Sequence, residues 1–292
     1  MTRIAEPSSE TIAQALGGSL VAIDEVITTI QPGVYRLAVH VLGDRHDAAD
    51  ATQEILLKVV THLAGFRGEA AFSTWVWRVA HNHLLNARTR RKESPEVSLD
   101  DIAERLGQGL EFAATLARER GEPAPLGPQD KLEARQVALA CTQSMLMALD
   151  REQRLIYVID TVFDLPSRQA AAVVGITADA YRQRLSRARA RLDAFMAGSC
   201  GLANPQAACR CERQLPAMRH LAAARGPDRS AVVAIHREEM QEAERQFAAF
   251  TRVCDAASVL RAHPAYRAPE TLRAAIRAVL AQEGFLQRGA PQ

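Results

Sequence analysis

"YRQRLSRARARLDAF", Tyr181 to Phe195, carries five arginines and no acidic residue before Asp193. At helical spacing Tyr181, Leu185, Ala188, Leu192 and Phe195 fall on one apolar face. Arg184, Arg187 and Arg191 project from the other side, with Arg182 and Gln183 near the start. A merely solvated arginine face would want carboxylates in register, and they are missing. The stretch before it, "SRQAAAVVGITADA" (167–180), reads as a short helix capped by Ser167, a glycine turn at Gly175, and a second helix capped by Thr177. Asp179 stands in the first turn, where the helix dipole favours an anion. Ala171 lets the two helices cross closely, and Gly175 permits a left-handed turn. This is helix-turn-helix punctuation. A helix of this kind enters a DNA major groove when its apolar face is held and its basic face is free. Arg182, Gln183, Ser186 and Arg187 are placed for base edges; Arg184, Arg189 and Arg191 suit phosphates or support.

The remaining composition is compatible with an all-α chain of two or three domains. Its 292 residues are 48% hydrophobic but only 5% aromatic, a balance that suits helical bundles. Net charge is just +2, so no global field announces a nucleic-acid partner. The charge is segregated instead. Asp44 to Glu54 holds four acidic residues against one arginine, and Phe66 to Lys92 holds six Lys/Arg against one Glu. The start lacks a signal-peptide pattern, no run reaches the ~18 apolar residues of a membrane span, and an odd five cysteines fit a reducing compartment. These features predict a cytoplasmic protein without membrane insertion.

Along the chain, residues 20–42 predict one or two helices broken at "QPG" (31–33). A turn at "GDRHD" (43–47) leads into a helix to about Leu63, with Ala48, Ala51, Ile55, Val59 and Leu63 on its apolar face and Asp50, Gln53 and Glu54 elsewhere. The loop 64–74 precedes a helix to about Arg90, capped by Ser73 or Thr74. A linker region spans 93–130, with a short amphipathic helix at 99–118 and the Pro/Gly-rich "RGEPAPLGPQ" (120–129). A helical block fills 131–198. The rest, 199–292, opens with "SCGLANPQAACRCERQLP", continues in a heptad-like helix over 231–262, and ends in a helix at about 270–282.

Residues 47–92, "DAADATQEILLKVVTHLAGFRGEAAFSTWVWRVAHNHLLNARTRRK", resemble region 2 of bacterial extracytoplasmic-function sigma factors, the small initiation subunits of RNA polymerase. The resemblance rests on Asp47, Ala48, Asp50, Gln53 and Glu54; on Phe66, Gly68, Phe72, Thr74 and Trp75; and on Arg78, Ala80, Asn82 and Arg88. The helix-turn-helix block resembles region 4 of the same family. Region 2 is expected over 20–92, region 4 over 131–198, and a helical extension over 199–292. The resemblance implies that Asp50, Gln53 and Glu54 meet core RNA polymerase, and that Phe72, Thr74, Trp75, Arg78, Asn82 and Arg88 hold the promoter minus-ten element. It implies that Arg182, Gln183, Arg184, Ser186 and Arg187 read the minus-thirty-five element. Aromatic rings at the spacing of Trp75 and Trp77 are more often core than stacking platforms. Gln169 departs from the family, which usually has Glu there.

No catalysis is expected, because in this family the polymerase does the chemistry. His81 and His83 lack the i, i+4 spacing of a zinc-protease helix. An anti-sigma factor is a partner that the resemblance allows. Cys200, Cys209 and Cys211, with His220, His236 or Cys254 as a fourth group, are candidates for zinc, although their spacing is no standard knuckle; free thiols and a redox pair are the alternatives. The rival function is an autonomous helix-turn-helix regulator with a metal- or redox-sensing tail. It leaves the acidic helix and "FRGEAAFSTWVWR" (66–78) unexplained.

Overall fold

The computed structural model describes residues 3–86, 97–121, 125–225 and 255–282. Among the described residues there are twelve α-helices, two 3-10 turns and no strand. The chain forms two compact units, one drawn from residues 1–90, 158–183 and 265–292, the other from 91–157 and 184–264.

The first unit is built on α2 (Leu20–Leu42), which continues straight through Pro32 instead of breaking at the expected "QPG". Proline removes one helical hydrogen bond, but tertiary burial outweighs it: Ile30, Val34, Leu37, Ala38, Val39 and Val41 are fully enclosed. Gly33 has its own reason. A Cβ there would meet the Ile4 backbone at 2.7 Å, so the N-terminal segment crosses α2 at the one residue without a side chain. α3 (Arg45–Thr61) starts where Asp44 accepts from the backbone N–H of His46 (2.8 Å) and Asp47 (3.0 Å). Its predicted apolar face, Ala48, Ala51, Ile55 and Val59, is buried as expected. α4 (Phe72–Asn86) is capped by neither Ser73 nor Thr74. Glu6 takes that role: its two carboxylate oxygens accept from the N–H groups of Phe72 (2.8 Å) and Ser73 (2.7 Å). A carboxylate at a helix N-terminus gains from both the orphan donors and the dipole.

In the same unit lies α8 (Ser167–Val174), whose Ser167 is its first residue and not its cap; Pro166 precedes it. Gly175 closes α8 in the left-handed region, φ 78°, as the turn reading required. α12 (Glu270–Leu280) buries Leu272 and Ile276 and packs on α3. Arg277 forks Asp24 with two bonds of 2.6 Å, which hold the Asp24 carboxyl below its usual range.

In the second unit, the region expected as linker carries α5 (Leu99–Arg120), closed by a Ser98–Asp101 capping box and packed on α10 (Leu215–Arg225). Arg219 of α10 bridges Asp130 (2.6 Å) and Glu133 (2.7 Å) of α6 (Pro128–Met147). Beyond α6, α7 (Arg151–Thr161) turns a guanidinium back on it. Arg154 donates to the carbonyls of Leu146 (2.8 Å), Met147 (3.0 Å) and Leu149 (2.9 Å), satisfying the orphan acceptors of a helix end. Burial pushes this guanidinium down to about 10, so it remains charged at neutral pH. α11 (Ala256–Arg261) also packs on α6, and the buried His263 Nε2 lies 2.8 Å from Thr142 Oγ1. Most of the heptad-like helix expected over 231–262 falls outside the described residues.

Two outcomes follow. Arg154→Ala strands three carbonyls and should cost about 2–3 kcal/mol in urea unfolding, while Arg154→Lys recovers only part. His81 and His83 have imidazoles held below their ordinary range, chiefly by burial. Their contribution is complete above the unfolded value of about 6.5 and is lost as pH falls through the lower folded values. Unfolding free energy should therefore decline on acidification from about pH 7 to 5, and His81→Leu should flatten that decline.

Candidate nucleic-acid interface

α4 works on two sides. Trp75, Val79, Asn82, His83 and Asn86 recur at i, i+4, i+7, i+8 and i+11, one helical stripe. With Glu54, Lys58 and His62 of α3 and its end, they line an open groove of about 580 Å³, within the size range of small-molecule sites. Trp75 is half-buried and leans on Phe66 and Phe72, with ring centroids 5.8 and 5.4 Å away. One indole face is thus supported while the ring lines the groove. Lys58 Nζ lies 3.0 Å from His83 Nδ1, and His83 Nε2 lies 3.9 Å from Glu54. The groove therefore offers an aromatic wall, amide donors and a cation, the set that single-stranded nucleic acid needs.

An adjoining side of α4 faces α8. Gln169 Nε2 donates to Thr74 Oγ1 at 2.9 Å, and Arg78 Nε donates to the Ala172 carbonyl at 3.1 Å. Trp77 is buried and meets Phe163 edge-on at 4.9 Å. Arg36 sits over the same Phe163 ring, 5.5 Å from its centroid. The residues expected at the minus-ten element are therefore divided. Trp75 and Asn82 share the groove, Thr74 and Arg78 are engaged by α8, Phe72 is core, and Arg88 lies outside the described residues. Trp77 is fully buried, as the core reading expected, whereas Trp75 is half-buried.

On α3, Glu54 is exposed, while Asp50 and Gln53 are half-buried. Along α9 (Ala178–Ser199), Tyr181, Leu185, Ala188 and Leu192 are buried as the spacing required. Arg182, Gln183, Ser186 and Arg187 are exposed on the other face. Arg182 pairs with Asp179 one turn back, a solvated contact of little energetic weight. Arg184 pairs with Glu152 of α7. Thr177 Oγ1 accepts from the Ala180 N–H at 3.2 Å, confirming that cap.

Sequence reasoning missed Lys58, His62 and Asn86. Their signal was available as helical periodicity, since Lys58 and His62 are i, i+4 and Asn82 and Asn86 repeat that spacing. The two tryptophans provide a test. Trp77→Ala should cost about 3–5 kcal/mol of stability as a core truncation. Trp75→Ala should cost far less and instead weaken binding of single-stranded DNA by the complex with core RNA polymerase, measured by fluorescence anisotropy.

Comparison with known proteins agrees with this layout. Residues 26–94 match sigma-70 region 2 and residues 139–192 match sigma-70 region 4. The chain is 25% identical over 182 residues to the ECF RNA polymerase sigma factor SigW of Bacillus subtilis, spanning 62% of this chain and 92% of that relative. It is 31% identical over 151 residues to the RNA polymerase sigma factor CnrH of Cupriavidus metallidurans, spanning 51% and 73%. Over 184 residues it is 27% identical to the ECF RNA polymerase sigma factor SigM of Mycobacterium tuberculosis, spanning 63% and 82%. With both regions present in this order, the grooved α4 in the first and the arginine-faced α9 in the second, the chain belongs to the extracytoplasmic-function group of RNA polymerase sigma factors.

Proposed function

We propose that this alternative sigma factor docks on core RNA polymerase through α3, using Asp50, Gln53 and Glu54, and holds an unstacked promoter base in the groove between α3 and α4. The observation that carries the reading is the groove itself: Trp75 and Asn82 share it with Lys58 and His62. An indole face suits base stacking, the amide suits a base edge, and the cation suits phosphate. Exposed Arg182, Gln183, Ser186 and Arg187 on α9 are assigned to the minus-thirty-five duplex through the major groove. Acidic groups on α3 complement a basic polymerase surface and repel stray DNA. Bond-making is left to the polymerase, so the chain acts as a specificity subunit and not as an enzyme.

The contacts of α8 with Thr74 and Arg78 add a condition. If those two residues meet promoter DNA, α8 must first leave α4, and the isolated protein is then a poor DNA binder. The place of action is the cytoplasm with the polymerase; among the described residues, no helix is long and apolar enough to cross a membrane.

The test is multi-round transcription from genomic fragments with core polymerase. Transcripts should depend on this protein and fall at least about 10-fold in Asn82→Ala, the scale of one lost base contact, while core binding by the variant is retained. Charge reversal at Asp50, which lies outside the groove, should reverse that pattern, weakening core binding first. Tight duplex binding with neither core binding nor transcripts would establish the autonomous regulator instead.

A further inference from the structure

The three cysteines of the extension have a fourth companion that sequence spacing did not suggest. Cys141 stands on α6, and Cys200, Cys209 and Cys211 follow α9. All four line one enclosed cavity of about 30 Å³, whose other walls include Met145, Met196 and Leu202. The segment after α9 is shaped to return there. Cys200 and Cys209 form an isolated parallel bridge, and the Gly201 N–H donates to the Cys209 carbonyl at 3.0 Å. The N–H groups of Ala203 (3.1 Å) and Asn204 (2.9 Å) both close on the Cys200 carbonyl, while the Asn204 amide donates to the Ala197 carbonyl at 2.8 Å.

The geometry points to a four-thiolate site for a thiophilic dication of the zinc class, with Cys141, Cys200, Cys209 and Cys211 as ligands. Four thiols are the complement of a closed structural zinc site, and soft sulfur donors exclude the hard oxygen-seeking ions. Gln214 directs an amide N–H at Cys209 Sγ from 3.5 Å, a donor that serves a thiolate better than a thiol. The Arg210 guanidinium donates to the Cys209 carbonyl at 2.9 Å, which sets positive charge beside a group of four thiolates. Of the other candidates, His220 packs its ring on Phe112 at 5.0 Å; His236 and Cys254 lie outside the described residues.

Among the described residues, no three ligand groups are already at metal-cluster spacing. The cation itself would draw the site closed, so binding couples to the stability of this unit. Without it, burial and then the neighbouring thiols push Cys141 up to about 12 and raise Cys211 as well, so both stay protonated. A dication reverses that preference: each ligand loses a proton as its sulfur bonds the metal, and the protons pass to solvent without oxidant or reductant. The site would tie α6 of region 4 to the start of the extension.

Reduced, chelator-stripped full-length protein should be titrated with Co²⁺ as a spectroscopic stand-in for Zn²⁺. One equivalent should give the visible bands of tetrahedral thiolate coordination, and Zn²⁺ should displace it. Cys141→Ser should bind about 100-fold more weakly, at or beyond the upper end of the loss seen for outer-shell partners, whereas Cys254→Ser should bind normally. A footprint on the wild-type chain guards against misfolded variants. Metal should slow alkylation of Cys141, Cys200, Cys209 and Cys211 together and leave Cys254 unchanged. Helical wild-type protein that takes up no stoichiometric Co²⁺, or a Cys141→Ser variant with wild-type affinity, would overturn the assignment. So would a footprint that omits Cys141.

Discussion

The first unit depends on α4 being held from outside itself. Its N-terminus has no capping side chain of its own, and Glu6, far away in sequence, supplies both acceptors for Phe72 and Ser73. That cap anchors the first turn of the helix, while the 3.6-residue period decides which residues share a face. Trp75 and Asn82 then fall to the groove, Thr74 and Arg78 to α8, and Trp77 to the core. One helix thereby faces the core, α8 and a groove at once, with its first turn held by a carboxylate from a different segment.

The rest of the site inherits this economy. Thr74 and Arg78 have hydrogen-bonding capacity that DNA could use, yet here it is spent on α8. Gln169, where the wider family usually has Glu, is the donor to Thr74. A neutral amide approaches Arg78's neighbourhood without adding charge, and it offers an N–H that a carboxylate lacks. A bond of this sort contributes about 1 kcal/mol net, small enough for competing contacts to displace.

Much of the fold was legible because it is written in helical periodicity. The buried faces of α3 and α9 and the left-handed turn at Gly175 were readable from spacing alone. What escaped were the long-range facts. Pro32 looked like a break because proline weakens isolated helices, while burial on both sides holds α2 together. Ser73 and Thr74 looked like caps because local chemistry permits it, and only tertiary structure brings Glu6 to the same place. Likewise Lys58 and His62 are anonymous until α4 is laid beside α3. Cys141 sits inside a helical block and joins the other three cysteines only when the chain returns after α9.

The proposal that α8, which contacts α4 in the free protein, leaves it for initiation can be tested directly with a short cross-link. A Thr74→Cys, Gln169→Cys pair joined by a short bis-maleimide, with the linked peptides mapped by mass spectrometry, tests both halves. The account predicts efficient linking in the free protein and, relative to the unlinked double variant, loss of promoter-specific transcription by the linked species. Failure of the pair to link, or a linked protein that initiates as well as the unlinked one, would contradict it.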